Sequence, residues 1–289
     1  MHRIVRFSFL LAATAAWAAP FTGPQGTLYL TNSTLGRIYV INGTLATSFG
    51  ETYSPGFSES VIAVSGANEI QTRSYYSLDT GHGGQYTFGG TPTGVNYGNP
   101  NPAGLTADFA YDGTTDGFNN YFVEDFGVTP SNSHTENVYR TDTNWQNPVV
   151  LFSVQTNPGV SQGEFRGISY DQFNNSLWVS GWNDNVIRDY AMDGTLLSSF
   201  VPSGSFSNVA LAFDPHDHTL WTIGGLTNVL YQYDTNGNLL QSGTPAGLPT
   251  GQYLGGEFVD PIPEPATWTA MLSGIGMLAG FRRRLSIRK

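Results

Sequence analysis

Two stretches of this chain align without a gap at a separation of 43 residues: "GISYDQFNNSLWVSGWNDNVIRDYAMDGTLLSSF" from Gly167 and "ALAFDPHDHTLWTIGGLTNVLYQYDTNGNLLQSG" from Ala210. Asp171 falls on Asp214, Leu177-Trp178 on Leu220-Trp221, Asn185-Val186 on Asn228-Val229, Tyr190 on Tyr233 and Gly194 on Gly237. A repeat of this length means a stack or ring of identical supersecondary units, which excludes most single-core folds at once. Within each copy, short apolar-alternating runs are separated by turn formers. Asp193-Gly194 and Asn236-Gly237 supply the positive-φ residues of tight hairpins, and "YDQFNNSLW" and "FDPHDHTLW" make the turn before the next strand.

Looser copies fill the rest of the chain. "TLYLTNSTLGRIYVINGTLATSF" (27–49) fits the latter part of the unit, with Gly43-Thr44 on Gly194-Thr195. "FAYDGTTDGFNNYFVEDFG" followed by "ENVYRTD" fits it again, with Tyr111-Asp112 on Tyr170-Asp171 and an insertion near Ser131 to Thr135. "SVIAVSGANEIQTRSYYSLDTGHGGQYTF" is the weakest copy, so the count is about five. Four strands in about 43 residues is the size of a propeller blade. The first copy lacks an opening strand, and "YLGGEFVD" (253–260) is a spare strand after the last copy. These leftovers complete one another if the ring closes, so the sequence predicts an all-β propeller of about five four-stranded blades over 19–260. A β-sandwich pair and an open solenoid are the alternatives. The repeat also resembles the broad family of NHL-like and related β-propellers, a resemblance that implies architecture and little function.

Charge separates the body from its ends. Arg3 and Arg6 stand at the start and Arg282, Arg283, Arg284, Arg288 and Lys289 at the end, leaving five arginines against 22 acids between them, a net −17. Such a body repels nucleic acid and anionic lipid. Its acidity suits solubility, divalent cations or neutral glycans and selects none of them. There is no cysteine, which excludes disulfides, thiol catalysis and zinc–thiolate sites.

The first 18 residues, "MHRIVRFSFLLAATAAWA", show a basic start, an apolar run and small residues at Ala16 and Ala18, the three-part pattern of a secretory signal peptide with cleavage expected after Ala18. Signal peptidase and the secretion machinery are the partners this implies. At the other end, residues 266–281 form an uncharged stretch, expected as a single transmembrane helix with its arginines kept cytoplasmic. Pro263-Glu264-Pro265, that apolar stretch and Arg282-Arg283-Arg284 stand in order across 261–289. This ending resembles the PEP-CTERM sorting signal of exosortase substrates. The resemblance implies exosortase as a partner, a transient membrane anchor with the body outside, processing near the tripeptide, and release to the cell envelope or the extracellular space, where such substrates accompany exopolysaccharide and biofilm matrix.

Candidate chemistry is sparse. Asp214-Pro215-His216-Asp217-His218 has alternating polar side chains of metal-ligand type, but Asp214 holds the repeat's turn position and its counterpart "DQFNN" has no histidine. His82 and His134 sit among loop residues. Glu164, Glu257, Asp108 and Asp171 lie near blade-opening strands, where they would face the channel or cap turns. No hydroxyl is marked by a neighbouring base, so no catalytic residue, metal site or cofactor is assigned. Trp178 and Trp221 share one strand position and read as core, whereas Trp145 and Trp182 stand in turn-like contexts and are the candidates for stacking on a sugar ring. The expectation is a non-enzymatic binding or scaffold module associated with exopolysaccharide; the alternative is a periplasmic hydrolase or lyase with a channel-facing metal site.

Overall fold

A computed structural model of the chain describes residues 20–54, 59–66, 69–74, 83–98, 110–124, 135–155, 165–204 and 208–259. The signal segment 1–18, the tripeptide with the 266–281 stretch and the basic tail, and Glu164, Asp108, His82 and His134 lie outside the described residues.

All described elements are strands. Blade 1 contains β1 (Leu28–Asn32), β2 (Arg37–Asn42) and β3 (Leu45–Gly50); blade 2 contains β4 (Val61–Ser65), β5 (Glu69–Arg73), β6 (Gly83–Tyr86) and β7 (Pro92–Gly98). Blade 3 contains β8 (Gly113–Thr115), β9 (Asn120–Val123), β10 (Thr135–Thr141) and β11 (Val149–Gln155). Blade 4 contains β12 (Phe165–Asp171), β13 (Ser176–Gly181), β14 (Ile187–Ala191) and β15 (Leu196–Phe200), and blade 5 contains β16 (Asn208–Asp214), β17 (Thr219–Gly224), β18 (Leu230–Asp234) and β19 (Leu239–Gly243). The last strand, β20 (Tyr253–Phe258), pairs antiparallel with β1, Leu28 opposite Phe258, and becomes the innermost strand of blade 1. Five four-stranded sheets result, and the ring closes by joining the two ends of the chain as the unmatched repeat pieces require.

Burial explains why the alternating pattern is clear in some strands and faint in others. The second strands of blades 4 and 5, SLWVSG and TLWTIG, are buried throughout because neighbouring sheets cover both faces. Trp178 and Trp221 lie there in the core, each 1% exposed. The outermost strand of blade 4 is mostly exposed.

Blades are locked together by one recurring contact. Gly90, Gly194 and Gly237 hold the positive-φ position of the turn between third and fourth strands, each donating its N–H to a carbonyl three residues back. A Cβ at these positions would meet Phe49, Phe152 and Phe200 respectively, each on the outer strand of another blade. β7 carries no phenylalanine. In blade 3 the same turn position is held by Trp145, with φ of 59° and its N–H on the Asp142 carbonyl, and its indole is fully buried among Val61, Ala63, Phe122 and Tyr139. The tryptophan fills from the turn the space that a phenylalanine fills elsewhere. Trp145 is thus removed from the surface, and the expectation of an exposed stacking ring there is corrected.

Candidate functional site at the ring axis and its mouth

The first two strands of blades 3, 4 and 5 are joined by four-residue turns, so Thr115–Asn120, Asp171–Ser176 and Asp214–Thr219 are equivalent pairs. That register corrects the sequence alignment of Tyr111-Asp112 with Tyr170-Asp171. The capping aspartate of blade 3 is Asp116, whose Oδ1 accepts the N–H groups of Phe118 and Asn119. Asp112 lies three residues before the end of β8, next to the ring axis.

There Asp112 is wholly buried and gathers four blades. Oδ2 accepts the N–H of Leu211 at 2.9 Å and of Ile168 at 3.3 Å; Oδ1 accepts the N–H of Gly256 at 2.9 Å and of Gly113 at 2.8 Å. Burial pushes its carboxyl well above the usual carboxylate range, while the four amides pull the other way. A carboxylate fixed by four donors is a plug and a tie between inner strands. Its oxygens are engaged by backbone, which leaves little room for it to act on a ligand.

A small, narrow mouth is lined from all five blades, with Val64, Thr115, Tyr170, Gln172, Pro215 and Glu257 among its residues. Glu257 reaches this mouth, as its place beside an opening strand predicts, and is 6% exposed. Asp171 instead caps its own turn, accepting the N–H groups of Phe173 and Asn174. The mouth is too small to admit more than about one water.

The Asp214–His218 segment is also turn chemistry. Asp214 Oδ1 accepts the His216 N–H at 2.9 Å and lies 3.0 Å from His216 Nδ1, while Oδ2 accepts the N–H of Gly26. His218 holds a positive φ of 58°, as Asn175 does in blade 4, and stacks on Phe173 with ring centroids 3.6 Å apart. Among the described residues, no group of three His, Asp or Glu side chains is placed to hold a metal ion.

Trp182 is half-buried, and the Arg166 guanidinium lies 4.0 Å from its ring centroid and 4.5 Å from that of Tyr111. One face of this indole is therefore covered by a cation. Nearby, Asp184 and Arg188 form a buried ion pair, so "NDN" is a structured turn rather than a row of free hydrogen-bonding groups.

Two other carboxyls, the buried Glu59 and the half-buried Glu51, were not legible from residue type. Glu59 accepts the N–H groups of Thr52 and Ser54 and the hydroxyls of Thr72 and Tyr86. Glu51 accepts the Glu59 N–H at 3.1 Å, and its carboxyl is pushed up to about 8, chiefly by burial and further by the Glu59 charge. Both lie beside the segment leaving β3, where no repeat residue marks them.

With this geometry in place, comparison with known proteins is informative at one end of the chain. A family model described as the PEP-CTERM protein-sorting motif matches residues 261–284. No curated protein matches the sequence. Among solved structures, the chain is similar to one in a nidogen/laminin complex (TM-score 0.50, 14% identity, covering 80% of this chain and 97% of that one). It is similar also to a structural-genomics protein of unknown function from Bacteroides thetaiotaomicron VPI-5482 (TM-score 0.51, 16% identity, 80% of this chain and 61% of that one) and to a gluconolactonase from Xanthomonas campestris (TM-score 0.49, 12% identity, 81% and 80%). The chain thus spans 61% of the Bacteroides protein's length. At these identities the likeness concerns the fold alone. The chain is a five-bladed β-propeller carrying a PEP-CTERM protein-sorting motif, which marks it as an exported protein processed by exosortase.

Proposed function

We propose that the propeller, after its signal segment is removed behind Ala18 and its tail is processed near Pro263-Glu264-Pro265, is a non-enzymatic binding or scaffold module of the cell envelope or extracellular matrix, associated with exopolysaccharide. The observation that carries this reading is the axis. The buried acid Asp112 holds inner strands together through backbone amides, and the mouth lined by all five blades has room for about one water. A hydrolytic propeller needs reactive side chains from several blades converging on an open channel. Here Asp112 and Asp171 are tied to structure. The net negative charge of the body supports neutral partners over anionic ones.

The test is capture of matrix polysaccharide by the full chain, purified in a detergent without a sugar headgroup. Retention of neutral polysaccharide supports the reading. Turnover of lactones or glycans by the same preparation, lost on chelation of divalent metal, would replace it with the hydrolase reading.

A further inference from the structure

In blades 3 to 5 the two innermost strands are joined by a four-residue turn at this end of the ring. Blade 1 has no such turn, because its inner strand β20 and its second strand β1 come from opposite ends of the chain. Where the hairpin would be, the incoming segment at Gln25–Thr27 and the outgoing residue Val259 run side by side, held by the Val259 N–H on the Thr27 carbonyl at 3.2 Å. The uncovered space is a groove of about 460 Å³, within the range of small-ligand sites.

The groove's lining is specific in chemistry. The half-buried Phe88 forms its aromatic wall, backed by the buried Tyr29 with ring centroids 6.1 Å apart and the Tyr29 hydroxyl donating to the Phe88 carbonyl. Polar groups stand opposite. Gln25 and Asn42 are exposed, and the Thr27 hydroxyl donates to Asn42 Oδ1 at 2.7 Å, which orients the amide and leaves its N–H groups for a ligand oxygen. His216 borders the groove with Nδ1 set against Asp214. Among the described residues, no Lys, Arg, Asp or Glu lines it.

We infer that this closure-seam groove is a binding site for a neutral pyranose sugar. An aromatic wall matches the apolar face of a sugar ring, and fixed amides match its hydroxyl rim. A phosphate or a uronate would find no cation in the described lining and a propeller body (19–260) of net charge −16, 5 Arg against 21 Asp and Glu, around it. The proposal rests on the binding reading above and gives it a location, at the point where the chain leaves the ring toward the sorting motif.

The experiment uses the full chain in a detergent without a sugar headgroup, with tetrasaccharides of glucose, galactose and mannose as probes and tetragalacturonate as the charged match. Titration calorimetry is expected to show at least one neutral tetrasaccharide binding at about 1 mM or tighter, and tetragalacturonate at least about tenfold more weakly. The double variant Gln25→Ala/Asn42→Ala should lose about tenfold in affinity with no change in melting temperature, and Phe88→Ala should lose affinity by a similar factor while Phe88→Tyr retains binding. Unchanged affinity in these variants overturns the groove, as does binding of tetragalacturonate equal to the neutral probes. So does binding of a peptide of residues 260–265 in place of any sugar, since the chain's own exit segment would then be the occupant. Matrix capture separates this proposal from the broader one: retention of matrix polysaccharide by the double variant equal to wild type sinks the groove alone, whereas no retention by wild type together with tetrasaccharide binding sinks the matrix reading alone.

Discussion

Asp112 Oδ2 lies 2.9 Å from the backbone nitrogen of Leu211, joining residues 99 positions apart across the ring axis. The same side chain holds Ile168 and Gly256, so one carboxylate ties the inner strands of four blades together. Asp112→Ala should leave three buried N–H groups from separate blades without partners, at a cost of about 3–5 kcal/mol after the relief of desolvating the acid. Asp112→Asn keeps one acceptor oxygen and turns an amide donor toward another donor, and should cost about 1–3 kcal/mol. Urea unfolding of the two variants checks the order. A neutral Asp112→Ala would show the tie to be dispensable.

The closure seam makes a sharper demand on glycine. A Cβ at Gly255 would stand 2.0 Å from the Ser60 carbonyl oxygen of the adjoining blade, a backbone atom that cannot rotate away. Gly255→Ala should therefore push β20 from its place beside β1 and destabilise the ring by about 2 kcal/mol or more. Limited proteolysis after the substitution is expected to cut near residues 245–260 before any other site.

Glu51 gives the stability its pH dependence. Its carboxyl titrates at about 8 in the fold against 4.5 as the ordinary value, so between these values the folded chain keeps a proton that the unfolded chain has released. Stability from this group is fully present below about pH 4.5, falls as pH rises, and is flat above about 8. Glu51→Gln should match wild type near pH 5 and exceed it near pH 8 by about 2 kcal/mol, roughly 4–8 °C in melting temperature. Parallel melting curves for the two proteins across that range would contradict the assignment.

The two turn tryptophans should now part ways. Trp145→Ala removes a fully buried indole and leaves alanine at a positive φ, and should cost about 3–5 kcal/mol. Trp182→Ala removes only a half-buried ring stacked on Arg166 and should cost about 1 kcal/mol. Thermal melts distinguish them, and equal losses would refute the difference in environment.

The contrast between these residues shows what sequence could and could not convey. The blade architecture was readable because Asp193-Gly194 and Asn236-Gly237, like Asp171 and Asp214, meet the same local backbone requirement in successive copies. Ring closure was readable from strands left without partners. Asp112 was not, since "YDGTTDG" offers two aspartates at plausible turn positions and only strand register shows that Asp116 caps the turn. The signal for Trp145 was available but faint: "DTNWQN" places tryptophan where other blades have glycine, in a blade whose turn faces an outer strand without phenylalanine. The groove at Thr27 and Asn42 had no signal at all, because it arises from where two distant chain ends meet rather than from any motif.

Processing of the tail is the claim on which the whole account depends. The full chain expressed with a partner exosortase, and separately without it, can be followed by intact mass. The account predicts that the enzyme removes the segment behind Pro263-Glu264-Pro265 together with Arg282-Arg283-Arg284, and that Glu264→Ala blocks the loss. A wild-type chain that keeps its C-terminal residues in the presence of an active exosortase would contradict it.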